Sequence, residues 1–149
     1  MFLFTDLTEA DRPELSAMVE RCSPASRQAR FLSCAPQAGP DHVATLFRDP
    51  DSHTVVVRGL GTGIIGFGSL FLDGTAPAEL ALLVEDAYQG QGIGRLLFDA
   101  LRDHARSAGV TELEMTALTG NTRMIKLFRS ARFRPTDSGT VTGVLSVAA

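Results

Sequence analysis

Three glycines occupy alternate positions in the stretch Tyr88–Leu97, which reads YQGQGIGRLL. An apolar run, LALLV, precedes them, and apolar residues at helical spacing follow. A strand, a turn and a helix in this order gather unbonded backbone N–H groups at the helix N-terminus, where the helix dipole adds partial positive charge. Gly90, Gly92 and Gly94 would let phosphate oxygens approach that backbone, so the stretch predicts an anion site.

Arg95 follows in the first turn of the predicted helix. A cation there opposes the helix dipole by about 0.3–1 kcal/mol unless an anion binds nearby. A tight turn followed by a solvated arginine explains the same residues, and the sequence around the turn does not decide between the two. No Gly-Lys-Ser/Thr closes a P-loop, so a diphosphate bound here would be held rather than transferred.

A second glycine motif, Gly61–Gly66 or GTGIIG, matches GxGxxG literally. A dinucleotide-binding fingerprint leaves a strand and opens a helix. Here the residues that follow read as another strand, so we predict a hairpin turn and a closely packed strand. Nucleotide binding through GTGIIG is the alternative, and it would give affinity for a nicotinamide cofactor.

The N-terminal third is predicted to be helical. Thr8 and Asp11 are suited to cap a first helix, and Pro13 suits its first turn. Ser23, followed by proline, is suited to cap a second helix. Residues 36–40 then interrupt the pattern before a short helix near Asp41–Phe47.

The rest of the chain alternates strands with two helices that position the turn. Helical spacing predicts one helix from Gly92 to Gly109 and another capped by Asn121. Strands are predicted at His53–Leu60, Gly63–Leu72, Ala78–Val84, Thr111–Leu118, Phe133–Asp137 and Thr140–Val147. An antiparallel meander followed by a strand-helix-strand crossover predicts a single α+β domain over residues 1–149, with a mixed sheet of about six to seven strands and helices on both faces.

Composition and charge limit the partners. The chain has 149 residues, 44% of them hydrophobic and 21% charged, with a net charge of −3, so we expect a globular domain that binds neither nucleic acid nor membrane. Two cysteines and three scattered histidines show no zinc-ligand spacing, and no metal is expected. No basic leader and no apolar run of about 18 residues are present, so we expect a cytoplasmic location.

Two motifs resemble a known family. Gln89-x-x-Gly92-x-Gly94 after LALLV is similar to the coenzyme A pyrophosphate loop of the GNAT superfamily of acyl-CoA-dependent N-acetyltransferases. Downstream, NTRMIKLFRSARF resembles the second signature of that family, an asparagine-started helix that ends in an aromatic residue. The resemblance covers Val55 to about Pro135 well and the N-terminal helices loosely.

The resemblance implies a role for each matching residue. The backbone of Leu82, Leu83 and Val84 would pair with the pantetheine arm, and the N–H near Val84 would stabilise the oxyanion of the thioester. Asn121 would lie beside the pantetheine arm, and Phe128 would stand on the donor side where many members have a tyrosine. The pyrophosphate would be held by the backbone amides of Gln89, Gly90, Gln91, Gly92, Ile93, Gly94 and Arg95.

Transfer to an amine also requires a base, because a primary amine with a pKa near ~10.4 is mostly protonated at neutral pH. Glu79, on the strand that leads to the turn, is the candidate. AELAL with VEDAYQGQGIG resembles the protein-lysine acetyltransferase branch, where the matching glutamate is the base. Without the resemblance, Glu79 would read as a solvent-facing residue. SPASRQARF resembles the substrate-side helix of that branch, although its residues alone predict a core Phe31 and surface arginines at Arg27 and Arg30.

Two residues depart from the family pattern. Phe128 replaces the tyrosine thought to protonate the departing thiolate, and Arg132 replaces a glycine. Phe128 cannot donate a proton, but a thiol with a pKa near ~8.5 can leave as thiolate. Tyr88, the only tyrosine, lies in the loop and is a poor substitute.

The resemblance therefore predicts an N-acetyltransferase that moves an acetyl group from acetyl-CoA to a primary amine by direct attack. The acceptor would be a protein lysine or a small amine, and the protein a monomer or homodimer. A non-catalytic module that holds acyl-CoA as a sensor or scaffold is the alternative, which Phe128 favours.

Other charged residues are predicted to be structural or solvated. His104 lies on the apolar face of the long helix, and Asp99 with Arg102, and Asp103 with Arg106, are predicted surface pairs. A basic stretch without acids is predicted to be a solvated face, with the 3′-phosphate of coenzyme A or an acidic substrate as alternative partners. It comprises Arg123, Lys126, Arg129, Arg132 and Arg134.

Overall fold

One seven-stranded sheet organises the chain. The computed structural model describes residues 1–74, 76–136 and 138–147. The strands are β1 (Phe2–Asp6), β2 (Ser52–Gly59), β3 (Ile64–Phe71), β4 (Ala78–Val84), β5 (Glu112–Leu118), β6 (Arg132–Pro135) and β7 (Thr140–Ser146). The helices are α1 (Arg12–Arg21), α2 (Pro24–Phe31), α3 (Ala38–Arg48), α4 (Ile93–Ser107) and α5 (Thr122–Leu127), with two 3-10 turns at Glu9–Asp11 and Asp86–Tyr88. Among the described residues, no helix combines the length and the apolarity needed to cross a membrane.

The sheet has the strand order β1-β2-β3-β4-β5-β7-β6. Neighbouring strands run antiparallel except β4 and β5, which are parallel and are joined through α4. This topology confirms the predicted α+β class, the mixed sheet and the strand-helix-strand crossover. The last residue of the predicted strand Phe133–Asp137 lies outside the described residues.

Helices cover both faces of the sheet, as predicted. Val55 and Val57 of β2 belong to the core cluster that includes Leu97 and Leu101 of α4. Val56, between them, belongs to the second cluster, with residues of α1 and α3. Successive residues of a strand point to opposite faces, so the unbroken VVV run reflects a strand buried on both sides.

The N-terminus differs from the prediction. Phe2–Asp6 forms β1, an edge strand that pairs antiparallel with β2, whereas the sequence predicted no strand before His53. These five residues are little buried, and their alternation of apolar and polar side chains is too short to indicate a strand. Long-range pairing with β2 creates this element.

The predicted helix starts are otherwise confirmed. Thr8 donates its N–H to Asp11 Oδ2 at 2.9 Å and leads through the first 3-10 turn into α1. Ser23 Oγ accepts from the N–H of Ser26 at 3.1 Å and caps α2. The third helix begins at Ala38 rather than near Asp41, because Pro40 fits within a first helical turn.

The GTGIIG stretch forms the predicted hairpin and leads into β3, not into a helix. Gly61 takes a φ of 74° in the turn, where glycine is favoured. A β-carbon at Gly66 would lie 2.9 Å from Val57 Cγ1 and 3.2 Å from the carbonyl oxygen of Leu83. Gly66 is therefore required by close packing between β2, β3 and β4.

Replacing Gly66 with alanine should destabilise the fold by about 1–3 kcal/mol, since the stiff, buried Val57 and a backbone carbonyl leave no room for the methyl group. Denaturant unfolding measures the change in the free energy of unfolding. Gly120→Ala is the matched control, because a β-carbon at Gly120 would meet no described atom within 4 Å. Equal stability of the two variants would contradict the close packing at Gly66.

Candidate active site

A cleft opens where β4 and β5 separate. The parallel pairing of the two strands consists of Ala78 with Leu113 and Glu79 with Glu114. Beyond Glu79 the strands diverge, and a cavity of ≈ 340 Å³ lies between them. Its lining includes Leu80–Val84 from β4, Gly90, Gly92 and Gly94 around the start of α4, Thr116 from β5, Asn121 and Arg123 at α5, and Ser26 and Arg30 from α2.

The backbone of β4 presents alternate residues to this cleft. Glu85 donates its N–H to Ile65 O at 2.8 Å, so the polar groups of Glu85 face β3. Strand alternation turns the backbone groups of Leu83 toward β3 as well, and those of Leu82 and Val84 toward the gap. The predicted pairing surface is thus corrected: Leu82 and Val84 turn backbone groups toward the gap, whereas the backbone of Leu83 pairs with Phe67 of β3.

The first turn of α4 faces the same cleft. Gly92 is the N-cap with a φ of 85°, and no side chain of the described residues caps this helix start. Gly90 has a φ of 80°, and a β-carbon at either glycine would meet no described atom within 4 Å. The free amides of this turn and the open approach to them form the geometry that binds anions at helix N-termini.

The side chain of Gln89 forms hydrogen bonds to three other residues that line the cleft. Its Nε2 donates to the carbonyl of Val84 at 2.9 Å and to Ser26 Oγ at 3.2 Å. Its Oε1 accepts from Arg123 Nη1 at 2.5 Å. The backbone N–H of Gln89 donates to Asp86 O at 3.3 Å, so this amide is already used within the 3-10 turn. The N–H of Gln89, the first of the amides predicted to hold the pyrophosphate, is therefore not free to bind a phosphate.

Asp86 fastens α2 to the turn, a contact that the sequence did not indicate. Its carboxylate accepts from Ser23 N at 2.8 Å, from Ser23 Oγ at 2.8 Å and from Ser26 Oγ at 2.9 Å. Burial opposes ionisation of Asp86, but these hydrogen bonds outweigh it and lower its pKa. Only the fold brings α2 and this turn together, so spacing along the chain carried no signal.

Glu79 stands at the last paired position before the strands diverge. Its side chain is exposed, and it lies next to the cleft rather than in its lining. Glu114, its partner on β5, is a second carboxylate at this fork. The sequence did not single out Glu114, because the two strands are more than thirty residues apart in the chain.

Arg30, in α2, contributes a cation to the lining of the cleft. Its guanidinium lies over the rings of Phe31 and Phe67, at 5.3 Å and 5.8 Å from their centroids. Burial lowers the pKa of Arg30 to about 10, while the negative charge of Glu79 acts in the opposite direction. The sequence predicted a surface residue at Arg30; it is only partly exposed, because the end of α2 packs its guanidinium against aromatic side chains.

His42 is the hydrogen-bond partner of that guanidinium. Arg30 Nη2 lies 2.7 Å from His42 Nε2. Burial and the positive charge of Arg30 lower the pKa of His42 to about 3, so the ring is neutral near pH 7 and Nε2 can accept. His42 therefore supports Arg30 and adds no charge.

Phe128 does not reach the cleft. Its side chain is fully buried and packs edge-on against Phe98, with ring centroids 5.2 Å apart. The implied donor-side contact is therefore corrected, because no surface of Phe128 is left to touch a ligand. Tyr88, in contrast, is part of the cleft lining.

The side chains of two other residues that the resemblance places at the pyrophosphate do not line the cleft. The guanidinium of Arg95 lies 5.5 Å from the ring centroid of Phe98 and 3.9 Å from Asp99 Oδ1. Gln91 is exposed, and neither side chain belongs to the cleft lining. Their backbone amides remain at the start of α4. Asn121 meets expectation as a cap, since its Oδ1 accepts from the N–H of Met124 at 3.3 Å.

Neither cysteine is suited to act as a nucleophile. Cys22 is buried, and burial together with the charges of Asp86 and Glu85 raises its pKa to about 11. Only a thiolate is strongly nucleophilic, so this thiol is inert at neutral pH. Cys34 is exposed and outside the cleft lining.

His104 and the two predicted surface pairs make structural contacts. His104 stacks on His53 with ring centroids 3.5 Å apart, and neither ring belongs to the cleft lining. The two predicted surface pairs are present, Asp99 with Arg102 at 3.4 Å and Asp103 with Arg106 at 3.7 Å.

Comparison with known proteins agrees with this architecture. The acetyltransferase (GNAT) family model matches residues 12–133. N-alpha-acetyltransferase RimI of Mycobacterium tuberculosis is 39% identical over 89 residues, which are 57% of this chain and 54% of that protein. The chain thus spans about half the length of this curated relative.

Solved structures share the fold. The GNAT domain of S. lividans PAT superposes with a TM-score of 0.82 at 24% identity, covering 96% of this chain and 89% of that one. The ribosomal-protein-S18-alanine N-acetyltransferase from Escherichia coli gives 0.74 at 20% identity, covering 100% and 96%. PaiA N-acetyltransferase from Thermoplasma acidophilum, in complex with coenzyme A, gives 0.75 at 15% identity, covering 98% and 99%. With the family match across most of its length, the split sheet and the uncapped helix, the chain belongs to the acetyltransferase (GNAT) family.

Proposed function

We propose that the protein transfers an acetyl group from acetyl-CoA to a primary amine by direct attack. One observation carries the proposal: the free edge of β4 and the uncapped start of α4 line a single cleft. An extended thiol arm suits the strand edge, and a diphosphate suits the helix N-terminus. Coenzyme A joins these two groups in one molecule. The names of the relatives, RimI and the S18-alanine enzyme among them, point to the same chemistry.

The donor would bind along β4. Its pantetheine arm would pair with the backbone groups of Leu82 and Val84, with Asn121 on the opposite wall. Its diphosphate would accept hydrogen bonds from the free amides at Gly92–Arg95. The N–H of Val84 faces the gap, and hydrogen bonding to the thioester oxygen there would stabilise the oxyanion by a few kcal/mol at most.

The amine must lose a proton as it attacks, and we propose that Glu79 accepts this proton. The nitrogen lone pair attacks the thioester carbon, a C–N bond forms, and the C–S bond breaks as the coenzyme leaves as thiolate. The carboxylate of Glu79 takes the proton from nitrogen, directly or through water. No covalent enzyme intermediate is needed, in line with the inert Cys22.

The acceptor class is a further part of the proposal. A protein lysine and a small amine both offer the primary amine that the mechanism needs, and one structural neighbour is named as a ribosomal-protein-S18-alanine N-acetyltransferase. Incubating the protein with acetyl-CoA and a panel of polyamine, amino acid, peptide N-terminus and protein lysine, followed by mass spectrometry of the products, identifies the acceptor.

A module that binds acyl-CoA without turnover is the second candidate. The buried Phe128 favours it, because a phenylalanine at the tyrosine position supplies no proton for the thiolate. A thiol-release assay over the same amine panel separates the two functions. If the protein binds coenzyme A but releases thiol with none of the amines, the result would support the module.

Gly92→Leu should weaken coenzyme A binding by about tenfold or more, because the side chain would occupy the phosphate approach and disturb hydrogen bonds to a charged group. Calorimetry measures the dissociation constant. Gly61→Leu is the matched control: Gly61 also has a positive φ of 74° and open space around it, but it lies in the β2–β3 hairpin. Both variants carry a similar backbone strain, so only Gly92→Leu should lose affinity. Intact affinity would contradict the assignment of the loop.

Glu79→Gln should lower the acetylation rate by about 10²–10⁴-fold and flatten its rise with pH, because the amide cannot accept the proton of the amine. Steady-state rates across a pH series measure this. Coenzyme A affinity should stay unchanged, which separates chemistry from donor binding.

Glu114→Gln is the comparison for that experiment, since Glu114 is the neighbouring carboxylate at the fork. Its pH–rate profile should match the wild type. A flattened profile in Glu114→Gln with a normal one in Glu79→Gln would transfer the role of base to Glu114. An unchanged profile in both would remove this pair from the mechanism.

A further inference from the structure

Arg123 places a positive charge beside the glycine-rich turn. It stands in the first turn of α5, and its side chain lines the cleft. Its Nη1 donates to Gln89 Oε1 at 2.5 Å, which joins α5 to the turn before α4. Within the described part of the chain this guanidinium has no carboxylate partner, whereas Arg132, farther along the same basic stretch, pairs with Glu112 at 3.4 Å.

Gln89 is a firm anchor for this guanidinium. Its amide nitrogen is held by the carbonyl of Val84 and by Ser26 Oγ, so its oxygen has a set direction. A guanidinium has five N–H donors in a fixed plane, and the bond to Gln89 uses one. The other donors of Arg123 therefore stay available, on a side chain whose position is already restricted.

The start of α4 supplies a second positive feature to the same cleft. Its first turn has no side-chain cap among the described residues, and its free amides carry the positive end of the helix dipole. Gln89 lies three residues before the N-cap Gly92, and Arg123, Gln89 and Gly92 line the same cleft. Charge-assisted hydrogen bonds from a guanidinium to a phosphate are among the strongest polar contacts in proteins.

We propose that Arg123 binds the diphosphate of the donor, with Gln89 as the residue that positions it. This inference rests on the proposed acyl-CoA site and adds a side-chain contact to a cradle otherwise made of backbone amides. Arg123 acts as the cation that the loop itself lacks, since the side chain of Arg95 turns toward Phe98 and Asp99. Because the hydrogen bond to Gln89 already restricts the guanidinium of Arg123, less conformational entropy is lost when it binds the diphosphate.

Three probes test the contact by calorimetry: coenzyme A, 3′-dephospho-coenzyme A and pantetheine, which has no phosphates. Arg123→Gln should raise the dissociation constants of the first two by about tenfold, and equally, because a charge-assisted hydrogen bond is lost. Pantetheine affinity should change by less than about twofold. Arg123→Lys keeps the charge but loses the planar fork, so its affinities should fall between those of Arg123→Gln and the wild type.

Lys126→Gln is the matched control, since it removes one positive charge from the same helix at an exposed residue outside the cleft lining. Its affinities for all three probes should equal those of the wild type. A similar loss in Lys126→Gln would show a general charge effect and overturn the contact.

The outcomes separate this inference from the proposed function. Wild-type affinity for coenzyme A with no loss in Arg123→Gln overturns the role of Arg123 and leaves the function standing. A loss confined to coenzyme A, absent with the dephospho form, moves the contact to the 3′-phosphate and also overturns it. An equal loss with pantetheine overturns it as well. A wild-type protein that binds none of the probes refutes the proposed function itself, and this inference with it.

Discussion

The separation of β4 from β5 after two residue pairs is the constraint on which the site depends. Backbone N–H and C=O groups that have no partner are costly to bury, so the inner edge of β4 must meet water, a side chain or a ligand. Gln89 satisfies the carbonyl of Val84, and the remaining groups of Leu82 and Val84 face the cleft. The split turns an interior sheet position into a free strand edge in the middle of the molecule.

Packing on both sides keeps the split open. The helix α4 crosses one face of the sheet and buries Leu97, Phe98 and Leu101 there, which sets its N-terminus at the gap. On the other face, α2 is fastened by the hydrogen bonds of Ser23 and Ser26 to Asp86. The cleft thus lies between two anchored elements, so its shape follows from the cores and does not depend on loops alone.

Charges are divided along the cleft. The α4 end combines the positive pole of a helix with Arg123, which suits an anionic donor. The far end combines the desolvated Arg30 with the carboxylates of Glu79 and Glu114 at the fork. Removing Glu79 would also remove the negative charge that favours the protonated form of the buried Arg30. The proposed role of Glu79 as a base is therefore linked to its effect as a counter-charge to Arg30.

Local patterns in the sequence determined most of the elements and much of the α4 end of the cleft. The glycines around Gly92 required a turn, the apolar spacing after them required a helix, and Asn121 and Ser23 had the side chains of helix caps. These features depend on residues a few positions apart, so they can be read directly from the chain.

Contacts between distant residues were decided by the tertiary structure alone. Burial of Phe128, desolvation of Arg30, pairing of Glu79 with Glu114 and the bond from Arg123 to Gln89 join segments that are far apart in the chain. The edge strand β1 belongs to the same group, because only its partner β2 makes it a strand. Sequence periodicity reports which face of an element is apolar, but which residues then meet across the cleft depends on how the sheet splits and how the helices pack upon it.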